Sequence, residues 1–219
     1  MAKKNGFRHR KTAPIPGKVN PQAQKTFLDQ QLTPVLEQAE AKERHVFFMD
    51  AAHFVMGAFI GYLWSVVRIF TPTSPGRRRF NVLGALHAIT HELVTVVNDT
   101  YINTESIIML LKRLAEKFTD LPITVVLDNA SYQRNQRVME TAKELHIELL
   151  FLPPYSPNLN LIERLWKFVR SECLNAKYYK TFNAFRDAIE TCLVDTQGKH
   201  KARLNKLLTL KFQLFDEAA

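Results

Sequence analysis

Cysteine is scarce in this chain: Cys173 and Cys192 are the only two among 219 residues. Two thiols so far apart in sequence are too few for a thiolate zinc site and supply no disulfide framework, so both read as reduced core residues. Long apolar runs are also missing. No stretch approaches the ~20 residues that cross a bilayer. The opening M-A-K-K-N-G-F-R-H-R-K has no apolar segment behind its basic residues, so no cleavable signal is expected. The expected protein is soluble and cytoplasmic. Acidic residues are in the minority, 21 against 30 Lys and Arg, for a net charge of +9 and a pI near 9.6. Such an excess favours a polyanionic partner, because each phosphate neutralised releases condensed counterions. Nucleic acid is the natural one. An anionic membrane surface would call for a basic amphipathic helix with an aromatic apolar face, and none is visible.

What is present suffices for one well-packed domain with an appendage, at 46% hydrophobic composition. Residues 1–44 read as a basic arm followed by a linker or docking helix. Asn20-Pro21 supplies an N-cap and first turn, and Pro34 starts or breaks a second helical piece. From residue 45 the pattern changes. H-V-F-F-M-D-A-A-H-F-V reads as a buried strand, and T-P-T-S-P-G-R-R-R as an exposed basic loop. Residues 80–90 and 92–99 read as an antiparallel pair, joined at Thr90-His91. A helix with Thr104 as N-cap reaches Phe118, followed by a strand (123–128), a helix (133–145) and a strand (147–152). The connector L-P-P-Y-S-P-N leads to a helix over 160–173, and another runs from Thr181 to about Asp195. Residues 198–219 form a basic tail. Early antiparallel strands followed by strand–helix alternation predict an α/β fold with a mixed sheet flanked by helices, the ribonuclease H-like arrangement, over residues 45–197.

Three carboxylates carry the chemistry. Asp50 closes the run H-V-F-F-M-D, Asp128 closes P-I-T-V-V-L-D, and Glu163 opens the helix after the proline-rich connector. Carboxylates at strand exits lie at the sheet edge, where reactants are held. An oxygen-only cluster suits Mg²⁺ or Mn²⁺ rather than zinc. Phosphodiester cleavage by two such ions needs carboxylates that hold them about 3.5–4 Å apart. Three anions forced together repel one another, so the cluster is expected to be poorly formed without metal. Taken singly, Asp50 reads equally as a turn cap, Asp128 with Asn129 as an Asx turn, and Glu163 as a solvated first-turn residue.

Taken together, F-F-M-D-A-A-H-F at 47–54, V-V-L-D-N-A-S-Y at 125–132 and L-P-P-Y-S-P-N-L-N-L-I-E-R-L-W at 152–166 resemble the DDE transposases of bacterial insertion sequences, in the mariner superfamily. Between Asp128 and Glu163 lie 34 residues, the spacing typical of that superfamily. The resemblance covers residues 45–195. It implies Asp50, Asp128 and Glu163 as catalytic ligands of two Mg²⁺ (or Mn²⁺) ions. It also implies hydrolysis at transposon ends, followed by attack of the freed 3′-hydroxyl on target DNA, typically at TA, with no covalent protein–DNA intermediate. Double-stranded DNA is the implied partner, bound by a homodimer, with the bacterial nucleoid as the place of action. Transposases of this type carry N-terminal helix-turn-helix modules, and fewer than 45 residues precede the catalytic region here. The expectation is either a separately encoded helix-turn-helix segment or a truncated copy. A catalytically defective DNA-binding remnant and another ribonuclease H-like nuclease are the competing readings.

Around the triad, Lys167 and Arg170 share a helical face with Glu163 and are candidates for phosphate contacts, against an ordinary surface pairing. Ile162, Leu165, Trp166 and Val169 make the opposite, apolar face. Arg77, Arg78 and Arg79 form a cation cluster assigned to DNA, and Asn129 is a candidate to hydrogen-bond a ligand or a DNA phosphate. His53 points away from Asp50 on an alternating strand and reads as packed. Tyr62 and Trp64 read as core. Pro153, Pro154 and Pro157 restrict the entry of the Glu163 helix, with Asn158 or Asn160 as its cap.

Overall fold

The computed structural model describes residues 17–57, 66–67, 70, 78–130, 132–175 and 177–214. Tyr62, Trp64 and Arg77 lie outside them. Five strands form one mixed sheet in the order β3–β2–β1–β4–β5. They are β1 (His45–Val55), β2 (Arg79–His87), β3 (Leu93–Asn98), β4 (Ile123–Leu127) and β5 (Ile147–Phe151). The first three make an antiparallel meander, while β4 runs parallel to both β1 and β5. Parallel neighbours need crossovers. These are supplied by α3 (Thr104–Lys117) and α4 (Gln136–Glu144).

Period-2 alternation along β1 feeds two cores. Phe47 and Met49 join Ile107, Leu111 and Val138 of α3 and α4 on one face. Phe48, Ala52 and Phe54 join the opposite core with α5 (Ile162–Cys173) and α6 (Phe182–Val194). The apolar face expected for α5 is realised, since Ile162, Leu165, Trp166 and Val169 are all buried.

The terminal segments pack on the α5 side of the sheet. Helix α1 (Pro21–Phe27), a π-helical turn (Leu28–Leu32) and α2 (Thr33–Glu40) follow one another without a break. Pro34 does not end the helix, because the π turn before it shifts the bonding by one residue, with Thr33 N–H donating to Leu28 O. Phe27, Leu32 and Leu36 enter the core, as do Leu204 of α7 (Lys201–Leu207) and Leu208. Phe212 in the extended stretch that follows stacks 5.9 Å from Phe48. Cys173 and Cys192 are free thiols in this core.

Several local expectations need correction. The cap of α3 is Asn103, not Thr104. Its side chain accepts from Ser106 N–H in a capping box, which satisfies an extra donor. Helix α4 begins at Gln136 behind an Asn135 cap, three residues later than its periodicity suggests. Neither Asn158 nor Asn160 caps α5 through its side chain: Asn158 exchanges bonds with Gln24, and Asn160 donates its amide N–H to Met49 O. His53 is exposed, not packed. It lies near the end of β1, past the reach of the α3 and α4 core, and bonds Asn81 Oδ1 at 2.7 Å.

Candidate active site

Each carboxylate is delivered by a different element. Asp50 lies in mid-strand relative to β2, where it faces Gly84, but one residue beyond the last parallel pair with β4, Met49–Leu127. It therefore occupies the point where one neighbour of β1 ends while the other continues, and its side chain is on the α5 face. Asp128 follows β4 directly, and its Oδ1 accepts from Ala130 N–H at 3.2 Å, an Asx-type turn. Glu163 sits in the first turn of α5.

The connector between β5 and α5 is tied at several points. Leu152 N–H donates to Leu127 O at 2.9 Å, and Asn129 Nδ2 donates to Leu152 O, which pairs the exits of β4 and β5. Tyr155 adopts a left-handed backbone (φ 57°), a strained conformation for an aromatic residue that its surroundings must enforce. Ser156 and Asn158 bond Gln24 of α1. Asn160 Nδ2 donates to Met49 O at 3.4 Å, anchoring the start of α5 to the strand beside Asp50.

A cavity of about 210 Å³ results, lined by Asp50, Asp128, Asn129, Pro153, Asn160 and Glu163 among others. Asp50 is largely buried there, and burial together with the nearby Glu163 and Asp128 charges raises its pKa to about 7. Two donors oppose this shift, first the Ala51 backbone N–H and then Trp166 Nε1–H, which donates to Asp50 Oδ2 at 3.1 Å. Tyr132 is pushed up to about 12, by burial first and then by the Asp128 and Asp50 charges.

The donor set fits a hard divalent cation. It consists of oxygens only, and two amide oxygens on the cavity wall, Asn129 Oδ1 and Asn160 Oδ1, are buried without a hydrogen-bond partner. Among the described residues no three His, Cys, Asp or Glu side chains stand close enough to hold an ion. The three carboxylates line one cavity.

The structure groups the other sequence candidates unevenly. Asn129 is part of the cavity wall, whereas Lys167 and Arg170 are not. Lys167 is exposed on α5, and the Arg170 guanidinium lies 5.6 Å from the Phe54 ring centroid. Arg78 sits 3.9 Å over the Phe182 ring and 4.0 Å from Asp99 Oδ2, while Arg79 is exposed at the start of β2. Two site residues were hidden from sequence reasoning. Trp166 fits the apolar face of α5 so well that nothing marks its N–H as an Asp50 partner. Asn160 looks like a helix cap.

Residues 67–186 match the model of the DDE superfamily endonuclease family. A protein of insertion element IS630 from Shigella sonnei, a 39 kDa product, is 26% identical over 168 residues, covering 72% of this chain and 48% of that protein. A Sinorhizobium fredii protein, y4pE/y4sA, is 42% identical over 38 residues, 17% of this chain and 28% of its own length. The chain thus spans about half the length or less of these curated relatives. Among solved structures, the Mos1 transposase paired-end complex with left transposon end superposes with a TM-score of 0.63 at 12% identity, covering 96% of this chain and 69% of that one. The mariner Mos1 paired-end complex with Mg gives 0.61 at 15% identity, covering 98% and 69%. The shared fold is the ribonuclease H-like mixed sheet flanked by helices.

Proposed function

Because the chain belongs to the DDE superfamily endonucleases, we propose that it is the catalytic part of a cut-and-paste DNA transposase, with Asp50, Asp128 and Glu163 as its catalytic carboxylates. The observation that carries this reading is that three acids from three separate elements line one cavity. Similarity to an insertion-element protein and to the fold of a transposase solved on transposon ends supports the same substrate class.

The three carboxylates would hold two Mg²⁺ or Mn²⁺ ions, with Asn129 Oδ1 as a further oxygen within the same wall. When bound, such ions activate the attacking oxygen and stabilise the leaving one. The chain's own residues confine the geometry. Trp166 holds one oxygen of Asp50, the proline connector sets where Glu163 enters, and the Asx turn holds Asp128. In the first step, water adds to the phosphorus at a transposon end and the P–O3′ bond breaks, leaving a 3′-hydroxyl. In the second, that hydroxyl oxygen bonds a target phosphorus, at TA, and displaces the 3′-oxygen of the target strand. Exposed Lys167, Arg78 and Arg79, with Arg77, contribute to DNA affinity. Action as a homodimer on paired ends in the bacterial nucleoid, with end recognition from a helix-turn-helix segment, completes the reading.

Mg²⁺-dependent nicking of a duplex carrying the element's ends tests it. Wild type should cut, and Asp128→Asn should lose at least 100-fold of the rate while still binding the duplex. A wild-type chain that binds but never cuts, with Mg²⁺ or Mn²⁺, would identify a non-catalytic DNA-binding remnant instead.

A further inference from the structure

Antiparallel register places Gly84 of β2 directly opposite Asp50 of β1. The indole of Trp166 lies against that glycine. A Cβ at position 84 would stand 2.8 Å from Trp166 Cη2, 2.9 Å from Cζ2 and 3.1 Å from Ile162 Cδ1, closer than packed atoms approach. Only a residue without a side chain lets the ring lie flush with the sheet. At that depth its Nε1–H reaches Asp50 Oδ2 at 3.1 Å, and Phe54 meets the ring edge-on at 6.4 Å. Trp166 is 1% exposed, so its position is set by packing on every side.

Trp166 also stands three residues after Glu163 on α5, one turn along the same helix. The contact therefore joins the strand that carries one carboxylate to the helix that carries another. A carboxylate on a free Cβ–Cγ bond turns through a broad range of angles. An indole N–H is a donor only, so it fixes one oxygen of Asp50 as an acceptor and can take no proton from it.

We propose that Trp166 is a positioning residue for the metal-binding carboxylates: with Gly84 beneath it, the indole orients Asp50 and sets its separation from Glu163. The inference rests on the reading of Asp50 and Glu163 as metal ligands. Partners that orient ligands in this way typically change metal affinity by about 10–100-fold when removed.

The test titrates the full chain with Mn²⁺ by calorimetry. Trp166→Phe keeps an apolar ring and deletes the N–H, and its Mn²⁺ dissociation constant should rise about tenfold while duplex-DNA affinity without metal stays unchanged. Gly84→Ala should weaken Mn²⁺ binding similarly, and the double variant should be no weaker than the worse single, because both act through one contact. In the wild-type chain, the Trp166 indole ¹⁵N–¹H resonance should move on addition of Mg²⁺, a readout independent of whether any variant folds, and it should also be displaced in Asp50→Asn. Asp128→Asn separates the two levels. If it loses Mn²⁺ binding while Trp166→Phe binds within twofold of wild type, or while the indole resonance ignores Mg²⁺, the positioning role is overturned and the metal site stands. If Asp128→Asn binds Mn²⁺ like wild type, the carboxylate reading falls and takes this inference with it.

Discussion

Gln24 and Ser156, 132 residues apart in sequence, are joined by a 2.9 Å hydrogen bond from the glutamine amide to the serine hydroxyl. The same amide group exchanges bonds with Asn158 at 3.0 and 3.2 Å. An N-terminal helix thereby holds the P-Y-S-P-N connector whose far end delivers Glu163. Gln24 is fully buried, so Gln24→Ala removes the donor to Ser156 Oγ and Asn158 Oδ1, leaving Ser156 only its bond to Pro154 O and Asn158 only its bond to Gln213 O. The expected loss is about 1–3 kcal/mol in urea unfolding, together with a lower cleavage rate. Unchanged stability would mean that the helix docks without contributing to the connector.

Arg164, the neighbour of Glu163, secures the other terminus. Its guanidinium donates to Thr209 O at 2.6 Å and Lys211 O at 2.7 Å and lies 5.6 Å from the Phe212 ring. Arg164→Ala should release residues 208–214 and lower stability by about 1–3 kcal/mol. Hydrogen exchange in that stretch should rise at least tenfold while α3 and α4 keep their protection.

The pH dependence of stability divides between two buried groups of opposite sign. Asp50 has its folded pKa raised from 3.8 to about 7. Its stabilising contribution is complete below about pH 4 and is lost as pH rises through 7, by up to about 4 kcal/mol. His87 moves the other way, from 6.5 to about 4, through burial first and then the His45 charge. Its contribution is complete above about pH 6.5 and is lost as pH falls toward 4. The two offset each other between pH 4 and 6.5. Asp50→Asn should therefore unmask a melting temperature that climbs with pH across this window. Added Mg²⁺ should do the same in wild type. A profile identical in Asp50→Asn and wild type would contradict the raised Asp50 pKa.

His87 also makes a structural prediction. Its Nδ1 lies 3.1 Å from both the Ile89 and Thr90 N–H groups, so it accepts, and the proton must reside on Nε2. That Nε2–H then donates to His45 Nδ1 at 3.0 Å, and His45 Nε2–H to Asp120 at 2.9 Å. Long-range ¹⁵N NMR at neutral pH should find the Nε2–H tautomer at both rings.

Lys167 is the exposed cation on the helix of Glu163. Lys167→Ala should lower duplex affinity uniformly across sequences and reduce the slope of log affinity against log salt by about one. An unchanged slope would return Lys167 to ordinary surface duty.

Much of this was readable from residue order. Runs of β-branched residues and their turn signals specify five strands, and the hairpin at Thr90-His91 fixes which of them meet first. The order of helices and strands then leaves few topologies. Asp50 and Asp128 were legible because they close apolar runs, where an unpaired charge needs a reason, whereas Glu163 was marked by the resemblance that its proline-rich block carries. The start of α3 was read one residue late, with Thr104 in place of Asn103 as cap, and that of α4 three residues early, since neighbouring polar residues can all cap and the choice depends on where the chain arrives.

Before any folding is considered, residue order already settles the strand set and the sheet class and, through the motifs shared with a known family, singles out three candidate acids, because periodicity, charge and motif are properties of neighbouring residues. Folding alone settles that Asp50 faces a glycine, that the indole of Trp166 fills the space above it, and that Gln24 and Arg164 bind the connector and the C-terminal stretch around Glu163. Those contacts join residues dozens to more than a hundred positions apart, and their energy exists only once the sheet and its two cores have brought them within a few ångströms.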